Sequence, residues 1–449
     1  MAGIVALSGG LLVCGEAVLI GLGFVRTASQ AARAAGLALV VGWAVTGVVI
    51  SLALAAAIPF AAWTVLTVWA LLSLASLAAV RWVPPRAAPE VQRERITVAR
   101  VIALGGCAAV LVLMTAYLWR AAVPTGVLNP DVWNFWLPKA KSIHYFGRLD
   151  TGPGGFTSYD NADYPPLDPA LEATAFRFMG RADPTRLPLQ HWVVAFGFVL
   201  ALAFLLRGRV RPAVLWPALA VLAATPVFYQ LVGSLLADEP LAILFALAGV
   251  CAALTVLDSD VRPAALGGLF LAGATLTKNE GLMLSLILVA VVAAGIWRAR
   301  RPPPALVVLA VPPIAVAVAW KLWLIHHGVP PSNHYHFSDL FRPGFLAHRL
   351  DRLQLGLRRL LKQTFLPSRT LLLVPLAVAL SALVARRRLA LRLLAPVTVA
   401  LVLLGYGAIY WISPIEIHFY LKAAPRIVTS IVLLCAALLP LLFSEASKA

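Results

Sequence analysis

Residues Asp238 to Leu257 read DEPLAILFALAGVCAALTVL. After two acids and a proline, no charged side chain follows for 17 positions, Leu241 to Leu257. The apolar residues do not alternate with polar ones, as they would in a half-buried strand, so the run reads as a helix that is apolar on every face. Such a helix lies either in a large core or in lipid. Composition decides between them. Of 449 residues, 61% are hydrophobic and only 12% charged, with a mean hydropathy of +0.88. A soluble domain carries roughly 25% charged residues. A bilayer crossing takes about 20 apolar residues per helix, and only helices or closed barrels satisfy every backbone group there.

Similar runs recur along the chain, near 3–24, 36–57, 61–80, 101–120, 188–206, 212–230, 239–257, 263–277, 281–297, 304–325, 368–385, 393–412 and 425–443. The fold expected is an all-α polytopic membrane protein of about thirteen transmembrane helices. The N-terminus lacks a basic leader and reads as the first span. With the N-terminus outside, the inner connections are RTASQAAR, RWVPPRAAPEVQRERITVAR, RGRVR, DSDVR, RARRPPP and ARRRLALR. Each carries arginine, as positive-inside topology requires. The net charge of +18 is thereby explained without nucleic acid. The four cysteines (Cys14, Cys107, Cys251, Cys435) are scattered through apolar runs and read as small core residues.

Three outer segments, 121–187, 326–367 and 413–424, hold most of the Asp, Glu, His and aromatic variety. Connections longer than about 12–15 residues are commonly functional. The first contains NPDVWNFWLPKAK, Asn129 to Lys141. Asp131 suits a helix cap and the tryptophans suit interface anchors. Equally, Asp131 suits a base, with Lys139 and Lys141 as phosphate ligands. Further on, NADYPPLDP (161–169) is a rigid turn in which Asp163 and Asp168 flank Tyr164 and two prolines. Asp238 and Glu239 complement the dipole of the helix they start, and two adjacent carboxylates there also suit a base. In ATLTKNEGL (274–282), Lys278, Asn279 and Glu280 sit between two apolar runs with almost no loop. Ionisable groups at that depth are costly and line cavities.

In the second outer segment, His326, His327, His334 and His336 could supply metal ligands with Asp339, although their spacing fits no structural zinc site. Arg349, Arg352, Arg358, Arg359 and Lys362 then alternate with leucines, the pattern of an amphipathic helix lying on a membrane surface and touching lipid phosphates. The third segment adds Glu416, His418, Tyr420, Lys422 and, where the last span begins, Arg426. The chain has no phosphate-binding glycine loop and no nucleophile elbow.

Taken in order, an acid after an early span, a lysine- and aromatic-rich outer loop with YPPL, then LADEPL, then LTKNEGL, then a His-bearing loop ahead of an arginine-bearing last span resemble the membrane glycosyltransferases of the GT-C superfamily. The nearest relatives by these motifs are bacterial members related to protein O-mannosyltransferases and to the lipid A aminoarabinose transferase. The resemblance covers about 100–443 and implies transfer of a sugar from a polyprenyl-phosphate donor to an extracytoplasmic acceptor, a glycan, lipid or protein. It implies an integral protein of the bacterial inner membrane whose site faces the periplasm or exterior. By the same resemblance Asp131, Asp238 and Glu239 are the catalytic carboxylates. Lys278 would hold the donor phosphate, with Lys139, Lys141 and Arg426 as further phosphate ligands, and Asp163, Tyr164, Glu280 and His418 as other site candidates. Lysine, arginine or a divalent cation would neutralise the departing phosphate; no metal ligand set is assigned.

Three parts are expected. Residues 1–98 form an N-terminal three-helix extension with a basic cytoplasmic loop. Residues 99–300 form the GT-C-like catalytic module with outer loop 121–187. Residues 301–449 form a C-terminal transmembrane module with outer loop 326–367. The competing reading is a transporter or flippase of lipid-linked sugars. No inverted repeat of the transporter kind is visible in the sequence.

Overall fold

The computed structural model describes residues 1–84, 97–123, 129–258, 260–298, 304–332 and 336–448. Most of the basic connection 81–100 therefore lies outside the described residues, as does His334. Helix makes up 81% of the chain, with no strand among the described residues.

The chain opens with α1 (Ala2–Gly21), α2 (Ala28–Ala55), α3 (Ala62–Ala79) and α4 (Val98–Ala122). Two short helices follow, α5 (Leu137–Phe146) and α6 (Leu167–Met179). The middle holds α7 (Leu187–Leu206), α8 (Pro212–Ala224), α9 (Pro226–Leu231), α10 (Asp238–Asp258), α11 (Val261–Thr277), α12 (Asn279–Arg298) and α13 (Pro304–His326). The last third contains α14 (Pro343–Ala347), α15 (Leu350–Phe365), α16 (Pro367–Thr370), α17 (Leu373–Leu383), α18 (Leu389–Ile412), α19 (Ile417–Ile427) and α20 (Thr429–Ala446).

Ten helices of the described residues are long and apolar enough to cross a bilayer, and α8, α11 and α17 are shorter apolar helices. The protein is an all-helical polytopic membrane protein. The opening run is its central helix: every residue of α10 from Asp238 to Thr255 is buried, against α11, α20 and α12. By contrast α3, α4 and α13 turn Trp63, Leu74, Leu104, Val112, Leu322 and Ile325 outward. A soluble monomer does not leave so broad an apolar surface uncovered.

Helices approach closely where small residues face each other, the usual device when lipid supplies no hydrophobic drive between helices. A Cβ on Gly42 of α2 would lie 1.8 Å from the Leu11 carbonyl oxygen of α1. One continuous apolar core runs from Ile4 to Leu442, so the three parts of the chain share it.

Three expected spans are interrupted. The run 212–230 splits into α8 and α9 at Thr225, which is extended, because a residue before proline is disfavoured in the α region. The run 368–385 splits at Leu371 and Leu372, both left-handed. The last apolar stretch, Ile417–Ala446, is broken at Val428 into α19 and α20, so Arg426 lies in the final turn of α19 rather than at the start of α20.

The expected amphipathic helix is α15, but Arg349, which caps it, and two of its own arginines serve the protein. Arg349 donates to Ile412 O at 3.0 Å and to Ser413 O, Arg352 to Tyr410 O at 3.3 Å and Ile415 O at 2.5 Å, and Arg359 to Leu421 O at 3.1 Å. The last carbonyls of a helix lack intrahelical partners and carry its negative dipole end. These guanidiniums satisfy the end of α18 and fix α15 and α19 to it.

The bundle has two distinct ends. At one, Arg209 pairs with Asp258, Arg388 and Lys448 pair with Glu445, and Arg26 donates to Val83 O at 2.7 Å. At the other, α10 begins.

Candidate functional site

Asp238 and Glu239 occupy the first turn of α10. Asp238 Oδ1 accepts a hydrogen bond from Lys278 Nζ at 3.1 Å, and Lys278 Nζ lies 3.6 Å from Glu280 Oε1. Lys278 owes its position to a one-residue break between α11 and α12, where its backbone is extended. Two helices turn that sharply only if their facing turns nearly touch. Gly281 permits it: a Cβ there would sit 1.8 Å from the Ala274 carbonyl oxygen. Gly281→Ala is therefore expected to push α12 away from α11, at about 1–3 kcal/mol for overpacking. Thermal melting in detergent should show the loss, and an unchanged melting temperature would mean that the hairpin tolerates the methyl group.

A second ion pair lies beside the first. Asp131 Oδ2 is 2.6 Å from Arg426 Nη1, and Arg426 also acts electrostatically on Asp238. Charges of alternating sign thus run through Asp131, Arg426, Asp238, Lys278 and Glu280. Asp131 precedes a wide turn, Val132–Trp136, in which Leu137 N–H donates to Val132 O across five residues. Such π-type turns recur at functional sites. Phe135 and Trp136 are buried, and Tyr164 packs its ring 6.2 Å and 5.7 Å from theirs. The aromatic residues therefore hold the loop in place, and Tyr164 also faces Arg426.

Other expected site residues take different positions. Asp163 accepts from Asn279 Nδ2 at 2.9 Å and Ser332 Oγ at 2.5 Å, and its backbone carbonyl accepts from Trp320 Nε1 at 3.0 Å. It ties the first outer segment to α12 and α13. Lys139 is fully buried, donates to the Asn161 carbonyl and lies 4.8 Å from the Phe156 ring centre. Burial pushes its ammonium pKa down to about 7, against the pull of Asp163 and Asp160. Its ammonium is thus spent on the turn at Asn161, whose backbone is left-handed. Lys141 is partly exposed and lies 5.8 Å from the Trp133 ring. His418 pairs with Glu416 at 2.9 Å on the exposed side of α19, apart from the Asp131–Lys278 group. His327 stacks on Trp323 at 4.3 Å. Among the described residues no group of three or more His, Cys, Asp or Glu side chains is placed to hold a metal ion.

Asp238 and Glu239 meet different partners, because successive residues of a helix point about 100° apart. Glu239 faces α7, where its Oε2 meets His191 Nδ1 at 3.1 Å and the Gly233 N–H at 3.2 Å. Asp168 and Glu172 of α6 are also buried, and both act electrostatically on His191. Burial drives the Asp168 carboxyl up to about 7 and that of Glu172 well above the ordinary carboxylate range. His191, Glu239, Trp43, Val194, Pro240 and Ile243 line a small cavity at this place. Neither Glu172 nor His191 is among the site residues expected from the sequence. Two signals were present: acids four residues apart in LDPALEATAF, and a lone histidine opening an apolar span.

Comparison with known protein families, characterised proteins and solved structures finds none that matches this chain.

Proposed function

We propose that this protein is a GT-C-like integral membrane glycosyltransferase that moves a sugar from a polyprenyl-phosphate donor to an extracytoplasmic acceptor. The observation that carries the reading is the meeting of Asp131, Arg426, Asp238, Lys278 and Glu280 at one end of the bundle. These residues come from four sequence segments that resemble the superfamily's motifs in order. The opposite end carries Arg26, Arg209, Arg388 and Lys448, which by the positive-inside rule makes it cytoplasmic and turns the site outward.

In this reading Lys278 and Arg426 receive the donor phosphate and stabilise its charge as the sugar leaves. Each is engaged by a carboxylate before the donor arrives. A phosphate taking Arg426 releases Asp131, which then accepts the proton of the acceptor hydroxyl as it attacks the anomeric carbon. The bond to phosphate breaks, the glycosidic bond forms, and the leaving group departs as polyprenyl phosphate. A site at the end of the bundle, near the lipid–water boundary, lets the prenyl tail stay in lipid while the sugar enters water.

The test is a panel of polyprenyl-phosphate sugars given to the purified protein with an envelope extract as acceptor source. Donor consumption with label entering the acceptor is expected. Movement of the donor across proteoliposomes without any transfer would replace this reading with that of a flippase.

A further inference from the structure

We propose that Asp168, Glu172, His191 and Glu239 form a buried proton-binding site that retains at least one carboxylic proton at neutral pH and sets the charge felt by Lys278. The inference goes beyond glycosyl transfer and would hold for any activity at the neighbouring ion pairs.

Fully ionised, three carboxylates and one imidazolium would leave an excess of two negative charges. Asp168 is 1%, Glu172 1%, Glu239 2% and His191 6% exposed. Glu239 has His191 and the Gly233 N–H as partners. Asp168 and Glu172 remain, one helical turn apart on α6, where side chains four residues apart meet. Both oxygens of Glu172 and Oδ2 of Asp168 are buried without a hydrogen-bond partner. Two adjacent buried carboxylates cannot both stay ionised; one takes up a proton.

The surrounding elements offer little other compensation. His191 comes from α7, Asp238 and Glu239 from α10, and Lys278 follows α11. Lys278 is engaged by Asp238 and Glu280. From α5, Lys139 is turned to Asn161, Lys141 lies by Trp133, and His144 meets the ring of Phe176, its neutral form favoured by burial and by Arg177. Arg177 of α6 itself is held by the His144 and Phe60 carbonyls. The one acidic or basic residue of α1, Glu16, lies 13 residues beyond Gly3, where α1 meets α6, and Cys14 lies 11 beyond it. Those of α2 and α11 are Arg33, in the second turn of α2, and Arg262, in the first turn of α11, and α3 has none. With no metal-holding group among the described residues, the proton is the cation that fits. Its occupancy reaches the neighbouring site through Asp238 and Lys278, both within electrostatic range of Asp168. A bound proton removes a negative charge near Lys278 and so favours an anion there.

The sign of the pH effect follows. The carboxyl pKa values are raised on folding, so their contribution to stability is complete below the unfolded value of about 4 and is lost as pH rises through about 7 and above. The test is an infrared pH titration of the purified protein in lipid nanodiscs. At about pH 7 the wild type should show a protonated-carboxyl band that is reduced in Glu172→Gln or Asp168→Asn. Asp238→Asn should move its midpoint downward, because a nearby negative charge is gone. Melting supplies a second reading: Glu172→Gln should gain stability over wild type steadily from about pH 5 to about pH 9. A wild-type spectrum at neutral pH indistinguishable from both variants, or a melting difference that does not change with pH, overturns the proposal. Neither measurement uses a sugar donor, so its failure is separate from failure of the glycosyltransferase reading.

Discussion

Lys278→Met is expected to abolish sugar transfer and to cost the folded protein about 3–5 kcal/mol, the range for removing one partner of a buried ion pair. Lys278 is 12% exposed and Asp238 7%, with Glu280 at 19%. Without the ammonium, two carboxylates face each other where water cannot screen them. Arg426 remains near Asp238 but is held by Asp131. The double variant Lys278→Met/Asp238→Asn removes the most buried of the stranded charges. It should recover more than half of the lost stability, read by thermal melting, and none of the transfer, read by donor consumption. That split is the behaviour expected of a lysine that binds the donor phosphate. Recovery of transfer together with stability would show that Lys278 only holds the fold.

Asp131→Asn should behave in the opposite way. Asp131 and Arg426 are 37% and 32% exposed, and such pairs contribute about 0–1 kcal/mol. The melting temperature should therefore hardly change. Transfer should fall by about 10²–10⁴-fold, the usual contribution of a positioned general base. The amide keeps the shape of the carboxylate but cannot accept the acceptor's proton. Donor binding should persist or tighten, because Arg426 is released from its partner. Transfer within about tenfold of wild type would remove Asp131 from the role of base.

The contrast between these two residues could not be read from the sequence. Both stood out as charges beside apolar runs, for the same reason: ionisable groups are expensive near lipid. Which one is stability-bearing depends on burial, a property of the packed helices. The same holds for the lysines of the first outer segment. Lys139 and Lys141 look alike in LPKAK, yet one is enclosed against Phe156 and the other lies at the surface by Trp133. A helix turns about 100° per residue, so positions two apart face in opposite directions.

Apolar continuity alone determined that Asp238–Leu257 is a helix in an all-helical membrane protein, because a chain with so little charge has no other way to satisfy its backbone and its solvent at once. Caps and breakers marked where the helices end: acids and Pro240 open α10, and Gly281 allows the sharp return after Lys278. Tertiary structure alone decided what the two acids at the head of α10 do. Asp238 turns to Lys278 and the ion pairs, whereas Glu239 turns to His191 and the buried acids of α6. Neighbours in sequence were separated by the helix, and residues more than a hundred positions apart, such as Asp131 and Arg426, were joined by packing. The physical reason is that charges in a low-dielectric interior are placed by whichever partners the packed helices bring within reach.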